Sequence, residues 1–110
     1  MRTEPPERTG STGVVQNSER MRFELHHGNE LAGVLEYQSR GDELSLLHTK
    51  VEPRFEGNGF GSRLTREALD TARRDGLAVL PYCWFVRNWI GRHEDYLDLV
   101  PEQQRQRFGL

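Results

Sequence analysis

Residues 54–64 read RFEGNGFGSRL, with three glycines at alternate positions directly before a segment of helical periodicity. The apolar residues of one helix face follow at the expected spacing: Leu64, Ala68, Leu69 and Ala72. With Gly76 as a C-terminal cap, the pattern predicts a helix over residues 60–75. Glycines let a backbone approach an anion, and the first turn of a helix carries unpaired N–H groups. The loop is therefore a candidate phosphate site, although its spacing fits a flexible connection equally well.

The segments before this loop alternate between apolar and polar residues, as strands with one buried face do. They span residues 21–26, 31–38 and 43–51, with turn signals between them. The pattern predicts an antiparallel meander. Strict alternation in the third strand predicts that His48 shares a face with Leu44 and Leu46.

After the helix, residues 77–83 form a short, nearly all-apolar run that is typical of a strand covered on both faces. Residues 84–93 then predict a short second helix. The fold class is thus α/β, in the broad sense that includes α+β: a mixed, mainly antiparallel sheet with a long helix after the glycine loop and a short C-terminal helix. The glycine spacing matches neither a Walker loop, which needs a following Lys-Ser/Thr, nor the dinucleotide fingerprint.

Length and composition indicate one domain with polar ends. The chain has 110 residues, which is the size of a single domain. Residues 1–18 are dense in Pro, Gly, Ser, Thr and charge, so we predict a disordered arm there, with room for a first short strand near its end. The domain itself is predicted over residues 19–100, and a polar tail over residues 101–110.

Charge and cysteine content exclude several classes of function. A net charge of −2 gives no global basic field for nucleic acid. The single cysteine excludes an internal disulfide framework and a Cys-based zinc site. No apolar run approaches the roughly 20 residues that a membrane span needs. We therefore expect a cytoplasmic protein that binds no metal, membrane or nucleic acid. A monomer is favoured, and the sequence leaves the oligomeric state open.

Several short motifs follow one another in a specific order along residues 20–100. They are His48-Thr49-Lys50-Val51, Pro53, the three glycines, an amphipathic helix, Pro81-Tyr82-Cys83-Trp84-Phe85-Val86 and His93-Glu94-Asp95-Tyr96. In these motifs the chain resembles the GCN5-related N-acetyltransferase (GNAT) superfamily, and in particular its small, shortened branch of acetyltransferase-like proteins.

The resemblance implies acetyl-CoA or another acyl-CoA as cosubstrate. It implies that the pyrophosphate lies on backbone N–H groups of the glycine loop, and that the pantetheine arm follows the strand ending at Val51. That arm would occupy a cleft where this strand and residues 77–83 splay apart. Glu56 stands where the family often has Arg or Gln, so we predict that it faces solvent. The predicted CoA-binding residues are Val51, Arg54, Gly57, Asn58, Gly59, Phe60, Gly61, Ser62, Arg63 and Asn88.

Acyl transfer to an amine needs a neutral amine and a proton for the leaving thiolate. Cys83 and His48 are the candidate catalytic residues. Three roles are open for Cys83: an acyl-accepting nucleophile, a proton donor, or a buried apolar residue. His48 is a candidate base or a partner that lowers the pKa of Cys83.

The predicted function is acyl-CoA-dependent N-acetyltransfer to an unidentified amine, of a protein or of a small molecule. The chain is shorter than full members of the superfamily, which leaves the acceptor pocket open and favours a protein amine or a broad set of small amines. The alternative is a noncatalytic acyl-CoA-binding or protein-interaction module that keeps the glycine loop.

Overall fold

A computed structural model describes residues 11–110 of the chain. Five strands form one sheet in the order β1-β2-β3-β4-β5. Their bounds are Thr12–Asn17, Arg22–His27, Glu30–Arg40, Glu43–Val51 and Ala78–Pro81. The first four strands pair antiparallel, and β5 adds to β4 in parallel after the helix α1 (Phe60–Asp75) has crossed over. A short helix α2 (Trp84–Gly91) follows β5. The predicted fold class is confirmed.

The core lies between one face of the sheet and the two helices. From the strands, Phe23, Leu35 and Leu46 are fully buried. From α1, Leu64 and Leu69 are fully buried, on the face that the sequence periodicity predicts. The predicted bounds of α1 and β4 agree with the structure. No helix among residues 11–110 is long and apolar enough to cross a bilayer.

The domain extends beyond its predicted bounds at both ends of the chain. Residues 1–10 of the predicted disordered arm lie outside the described residues, and the first short strand that the prediction allowed near the end of the arm is β1, which pairs along its whole length with β2. Residues 101–110, predicted as a polar tail, form two short 3-10 helices, Glu102–Gln104 and Gln106–Phe108, and the Phe108 side chain is buried in the core. Leu110 packs against the core as well, so two apolar side chains anchor a mostly polar segment.

A β-bulge in β4 changes which side chains face the core. Tyr37 pairs with Leu46 and the preceding Glu36 pairs with His48, so Leu47 is an extra residue on β4. Beyond the bulge, Thr49 pairs with the buried Leu35 and shares its face. The prediction that His48 shares a face with Leu44 and Leu46 is therefore wrong.

The opposite face of the sheet carries a buried carboxylate. Glu24 accepts hydrogen bonds from Arg22 Nε at 2.8 Å and Asn17 Nδ2 at 2.9 Å, and its second oxygen lies 3.1 Å from His26 Nε2. Burial raises the pKa of Glu24, but the hydrogen bonds from these three side chains outweigh it and lower the pKa to about 2. The ionised form is thus held by the folded state.

The close contact between α1 and α2 depends on a glycine. A Cβ added at Gly61 would lie 2.9 Å from Cζ of the Phe85 ring, which is shorter than real Cβ contacts. Because position 61 has no side chain, the Phe85 ring of α2 lies directly against the first turn of α1. The N-termini of the two helices therefore lie side by side.

We predict that Glu24 makes the stability of the fold dependent on acid pH. A carboxyl whose folded pKa is lowered contributes stability above its unfolded pKa, near 4.5, and loses it as the pH falls towards 2. The shift corresponds to about 3 kcal/mol at neutral pH. Glu24→Gln should lower the urea unfolding free energy at neutral pH and flatten its pH dependence between these limits. The exposed Glu19→Gln is the matched control. An unchanged pH profile in Glu24→Gln would contradict the assignment.

We predict that Phe85 blocks the stability gain that alanine usually gives in place of a helical glycine. In the wild-type background, Gly61→Ala should not raise the unfolding free energy, because the new methyl group displaces the ring. In a Phe85→Leu background the same substitution should raise it by about 0.5 kcal/mol. Urea unfolding of the four proteins of this cycle measures the coupling. Equal effects in both backgrounds would show that the contact is not tight.

Candidate functional site

The parallel strands β4 and β5 separate at one point and leave a cleft. Pairing of β4 with β5 ends at Leu46 and Pro81. The last link is a hydrogen bond of 2.9 Å from the Cys83 N–H to the Leu46 carbonyl. From there β4 continues to Val51, whereas the chain after Cys83 turns into α2. The sequence-based expectation of a splay between these strands agrees with this geometry.

The backbone of β4 faces this cleft with unused polar groups. The Glu52 N–H donates to the Ala32 carbonyl at 2.8 Å, so the backbone groups of Glu52 point towards β3. In an antiparallel ladder only every second residue bonds to a given neighbouring strand. The N–H and C=O groups of Thr49 and Val51 therefore point away from β3, into the cleft. Among residues 11–110, no strand lies opposite them beyond Leu46.

The glycine loop ends the cleft on one side with a helix N-terminus. Gly57 and Gly59 have φ angles of 88° and 76°, which favour glycine, and Gly59 is the N-cap of α1. The first helical hydrogen bond runs from Arg63 N–H to the Gly59 carbonyl at 3.1 Å. The N–H groups of residues 60–62 precede that bond, and no side chain caps them. They form a set of donors suited to an anion.

One cavity of about 680 Å³ joins these two features. It is lined by β4 from Leu47 to Val51, by the glycine loop and the first turn of α1, and by residues around Cys83. The volume lies in the range of small-molecule and cofactor sites. A ligand in this cavity would contact the helix N-terminus at one end and Cys83 at the other.

Cys83 lies at the closed end of the cleft. Its side chain is 7% exposed, and its Sγ lies 3.3 Å from Thr49 Oγ1. The residue that contacts the thiol is thus Thr49, and the prediction of His48 as the partner of Cys83 is wrong, because the bulge at Leu47 turns the alternation by one residue. His48 is exposed and lies among the residues that line the cavity.

Most of the predicted CoA-binding residues surround the cavity. Those that line it are Val51, Gly57, Gly59, Phe60, Gly61 and Ser62. Asn58 lies in the loop but donates its side-chain amide to the Phe55 carbonyl at 2.9 Å. Glu56 is exposed, as predicted, and lies at the cavity's edge.

Three other predicted residues lie elsewhere. The Arg54 guanidinium pairs with Glu30 at 3.2 Å and stacks over Phe55, and the Arg63 side chain points to the Thr12 carbonyl at 3.5 Å. Asn88 lines a second cavity, on the outer face of α2. None of the three is among the residues that line the first cavity, and their contacts with CoA remain predictions.

The cations that do line the cavity are Arg87 and Arg92. The sequence analysis missed both of them. Arg87 stands one helical turn after Cys83 and follows the Pro81-to-Val86 motif, and this spacing is the signal that could have identified it. Among residues 11–110 no cluster of three or more His, Cys, Asp or Glu side chains could hold a metal ion.

Solved structures with similar folds are acetyltransferases. The solution structure of a GCN5-like protein from Staphylococcus aureus has a TM-score of 0.63 with 21% identity, over 80% of this chain and 86% of that one. The ribosomal-protein-S18-alanine N-acetyltransferase from Escherichia coli has a TM-score of 0.52 with 26% identity. That match covers 58% of this chain and 43% of the Escherichia coli chain, so this chain spans less than half of that enzyme.

The sequence comparisons point to the same family. No curated protein matches the chain. The family model described as GCN5-related N-acetyl-transferase matches residues 22–99, which includes the cleft, the glycine loop and both helices. The resemblance noted in the motifs is confirmed, and the chain belongs to the GCN5-related N-acetyltransferase superfamily.

Proposed function

We propose that the protein binds acetyl-CoA in the cavity between β4, α1 and α2 and transfers the acetyl group to an amine. The observation that carries the proposal is the continuity of that cavity. It joins unused backbone groups of β4 to the free N–H groups of a helix N-terminus. Acetyl-CoA is a long thioester with amides in its pantetheine arm and a pyrophosphate in its middle. Its polar groups therefore follow one another in the same order as the backbone groups of β4 and α1 along the cavity.

The residues present fit such a cosubstrate. The N–H groups of residues 60–62 would hold the pyrophosphate, and the helix dipole of α1 adds a favourable positive end. Thr49 and Val51 would exchange hydrogen bonds with the pantetheine amides, as an added strand does. Glu56 at the cavity's edge is unfavourable for a phosphate, and its full exposure to water limits that cost.

Cys83 is the residue best placed to act on the sulfur of the cosubstrate. When an amine attacks the thioester carbonyl, the new C–N bond forms, the C–S bond breaks, and the departing sulfur needs a proton. We assign that proton to the Cys83 thiol, whose place beside the Thr49 hydroxyl fixes its orientation. The thiol is restored by the proton that the attacking nitrogen gives up, so no net proton is consumed by the enzyme.

His48 has a different role in this proposal from the one predicted. It is exposed and lines the cavity next to the bulge. From there it would take the proton that an incoming ammonium group must lose before it attacks and pass that proton to solvent, whereas the proton lost by the nitrogen after attack returns to Cys83. In the noncatalytic alternative the same cavity binds acyl-CoA, and neither Cys83 nor His48 takes part in a reaction.

We predict that Cys83→Ala lowers kcat for acetylation of an amine panel by about 100-fold, while the KM for acetyl-CoA stays unchanged, because a proton donor is lost and the binding groups are backbone. Cys83→Ser keeps the size of the side chain and serves as the packing control. Intact mass after incubation with acetyl-CoA should show no adduct on the wild-type protein.

The possible outcomes separate the alternatives. An acetyl adduct that Cys83→Ala abolishes would replace the proton-donor role by a covalent route. Unchanged kcat in Cys83→Ala would make the residue structural. Calorimetric binding of CoA without acetylation of any amine would establish the noncatalytic module, and absence of CoA binding would overturn both functions.

A further inference from the structure

Three exposed apolar side chains surround the Cys83 end of the cavity. Leu47, Tyr82 and Trp84 are 39%, 45% and 64% exposed, and all three line the cavity. Leu47 is the bulge residue of β4, and the two aromatic residues flank Cys83 in the sequence. Exposed aromatic residues at a cavity mouth are typical of a contact surface. They lie at the end where the proposed thioester meets its acceptor.

Three guanidinium groups border the same surface. Arg87 and Arg92 line the cavity, and Arg107 stacks over the Tyr82 ring with its Cζ 5.3 Å from the ring centroid. Arg107 also donates a hydrogen bond to the Tyr82 hydroxyl. The ion pairs among residues 11–110 include none of these three arginines. Three positive charges therefore border this opening without an ion-paired carboxylate in the part of the chain that the structure describes, and the net charge of the chain is −2.

The surface extends beyond the first cavity along the outer face of α2. A second cavity of about 480 Å³ shares Trp84, Arg87 and Arg92 with the first. Its other wall is formed by Phe108, Gly109 and Leu110. An extended segment could thus lie along α2 and reach the Cys83 end of the cleft. The shared residues place the two cavities next to each other, and we call the two together the groove.

We propose that this groove is the acceptor site and that it takes an acidic protein segment. The acceptor surface is defined by Leu47, Tyr82, Trp84, Arg87, Arg92 and Arg107. Carboxylates on either side of a lysine would pair with the arginines and place the lysine amine at the thioester. The inference rests on the proposed function and names the class of substrate for it.

The charge of the acceptor surface favours binding of an acidic segment. The arginines would act to lower the pKa of the bound lysine and the flanking carboxylates to raise it, so the main effect of the arginines is the attraction that brings the segment to the groove. A basic segment would be repelled by the same arginines.

The test uses three short lysine peptides of equal length, with acidic, neutral or basic flanks, at saturating acetyl-CoA. The wild-type protein should show a KM for the acidic peptide about tenfold below that for the neutral one, and the difference should shrink as salt rises. Arg92→Glu/Arg107→Glu should abolish or invert this preference. Arg107→Glu alone should weaken it, and Arg20→Glu, in the turn between β1 and β2 at the other edge of the sheet, is the charge-matched control for that single variant.

Two binding measurements separate recognition of the peptide from acetylation and from CoA binding. Calorimetry of the acidic peptide with the wild-type protein should show binding that the double variant loses, whether or not acetylation occurs. Calorimetry of CoA should give the same affinity for wild type and for the single variant Arg107→Glu, because Arg107 lines neither cavity.

Three results would overturn the proposal. Equal KM values for the three peptides would do so while leaving acyl transfer intact. A large loss of CoA affinity in the double variant, with the peptide preference unchanged, would assign the arginines to the phosphates of CoA. Tighter binding of a single-stranded oligonucleotide than of the acidic peptide would assign the surface to nucleic acid. Absence of CoA binding would instead refute the proposed function, and the peptide calorimetry would still decide the charge preference.

Discussion

The hydrogen bond from the Cys83 N–H to the Leu46 carbonyl is the point on which the site depends. Up to this bond, β4 and β5 form a continuous parallel pair; beyond it they separate. A backbone donor or acceptor that loses its partner must find another or remain in water. Beyond Leu46, β4 therefore forms an open edge of the sheet, and this edge is where an extended ligand can pair with the backbone.

The bulge at Leu47 determines which side chains of β4 lie beside Cys83 and which are exposed at the cavity. Without the extra residue, His48 would face inward with Leu46 and the Thr49 hydroxyl would lie on the other face. With it, Thr49 meets Cys83, and His48 remains exposed at the cavity. Gly61 acts at the other end of the cleft, because the space above it admits the Phe85 ring and brings the two helix N-termini together.

The sequence alone was sufficient to predict an element of the fold where a periodic pattern and a local signal coincide. The bounds of α1 followed from its apolar face and Gly76, and the splay followed from the resemblance. The register of β4 was harder to predict, because a bulge depends on how two strands pair and cannot be seen in the apolar–polar alternation of a single strand. The contacts of the arginines were hard to predict for a similar reason: Arg54 and Arg87 look alike in sequence, and only the fold brings Glu30 to one and the cavity to the other. The burial of Phe108 shows the same limit, since Phe108 and Leu110 are too few apolar residues to give a period in a mostly polar segment.

The central claim is that backbone groups of β4 and α1 together bind one ligand. Backbone amide NMR spectra recorded during a titration with CoA test it directly. The account predicts the largest saturable shift changes at Thr49 and Val51 and at Phe60, Gly61 and Ser62, with one common dissociation constant. Changes confined to α2 and residues 106–110, or different constants for the two groups of amides, would contradict it.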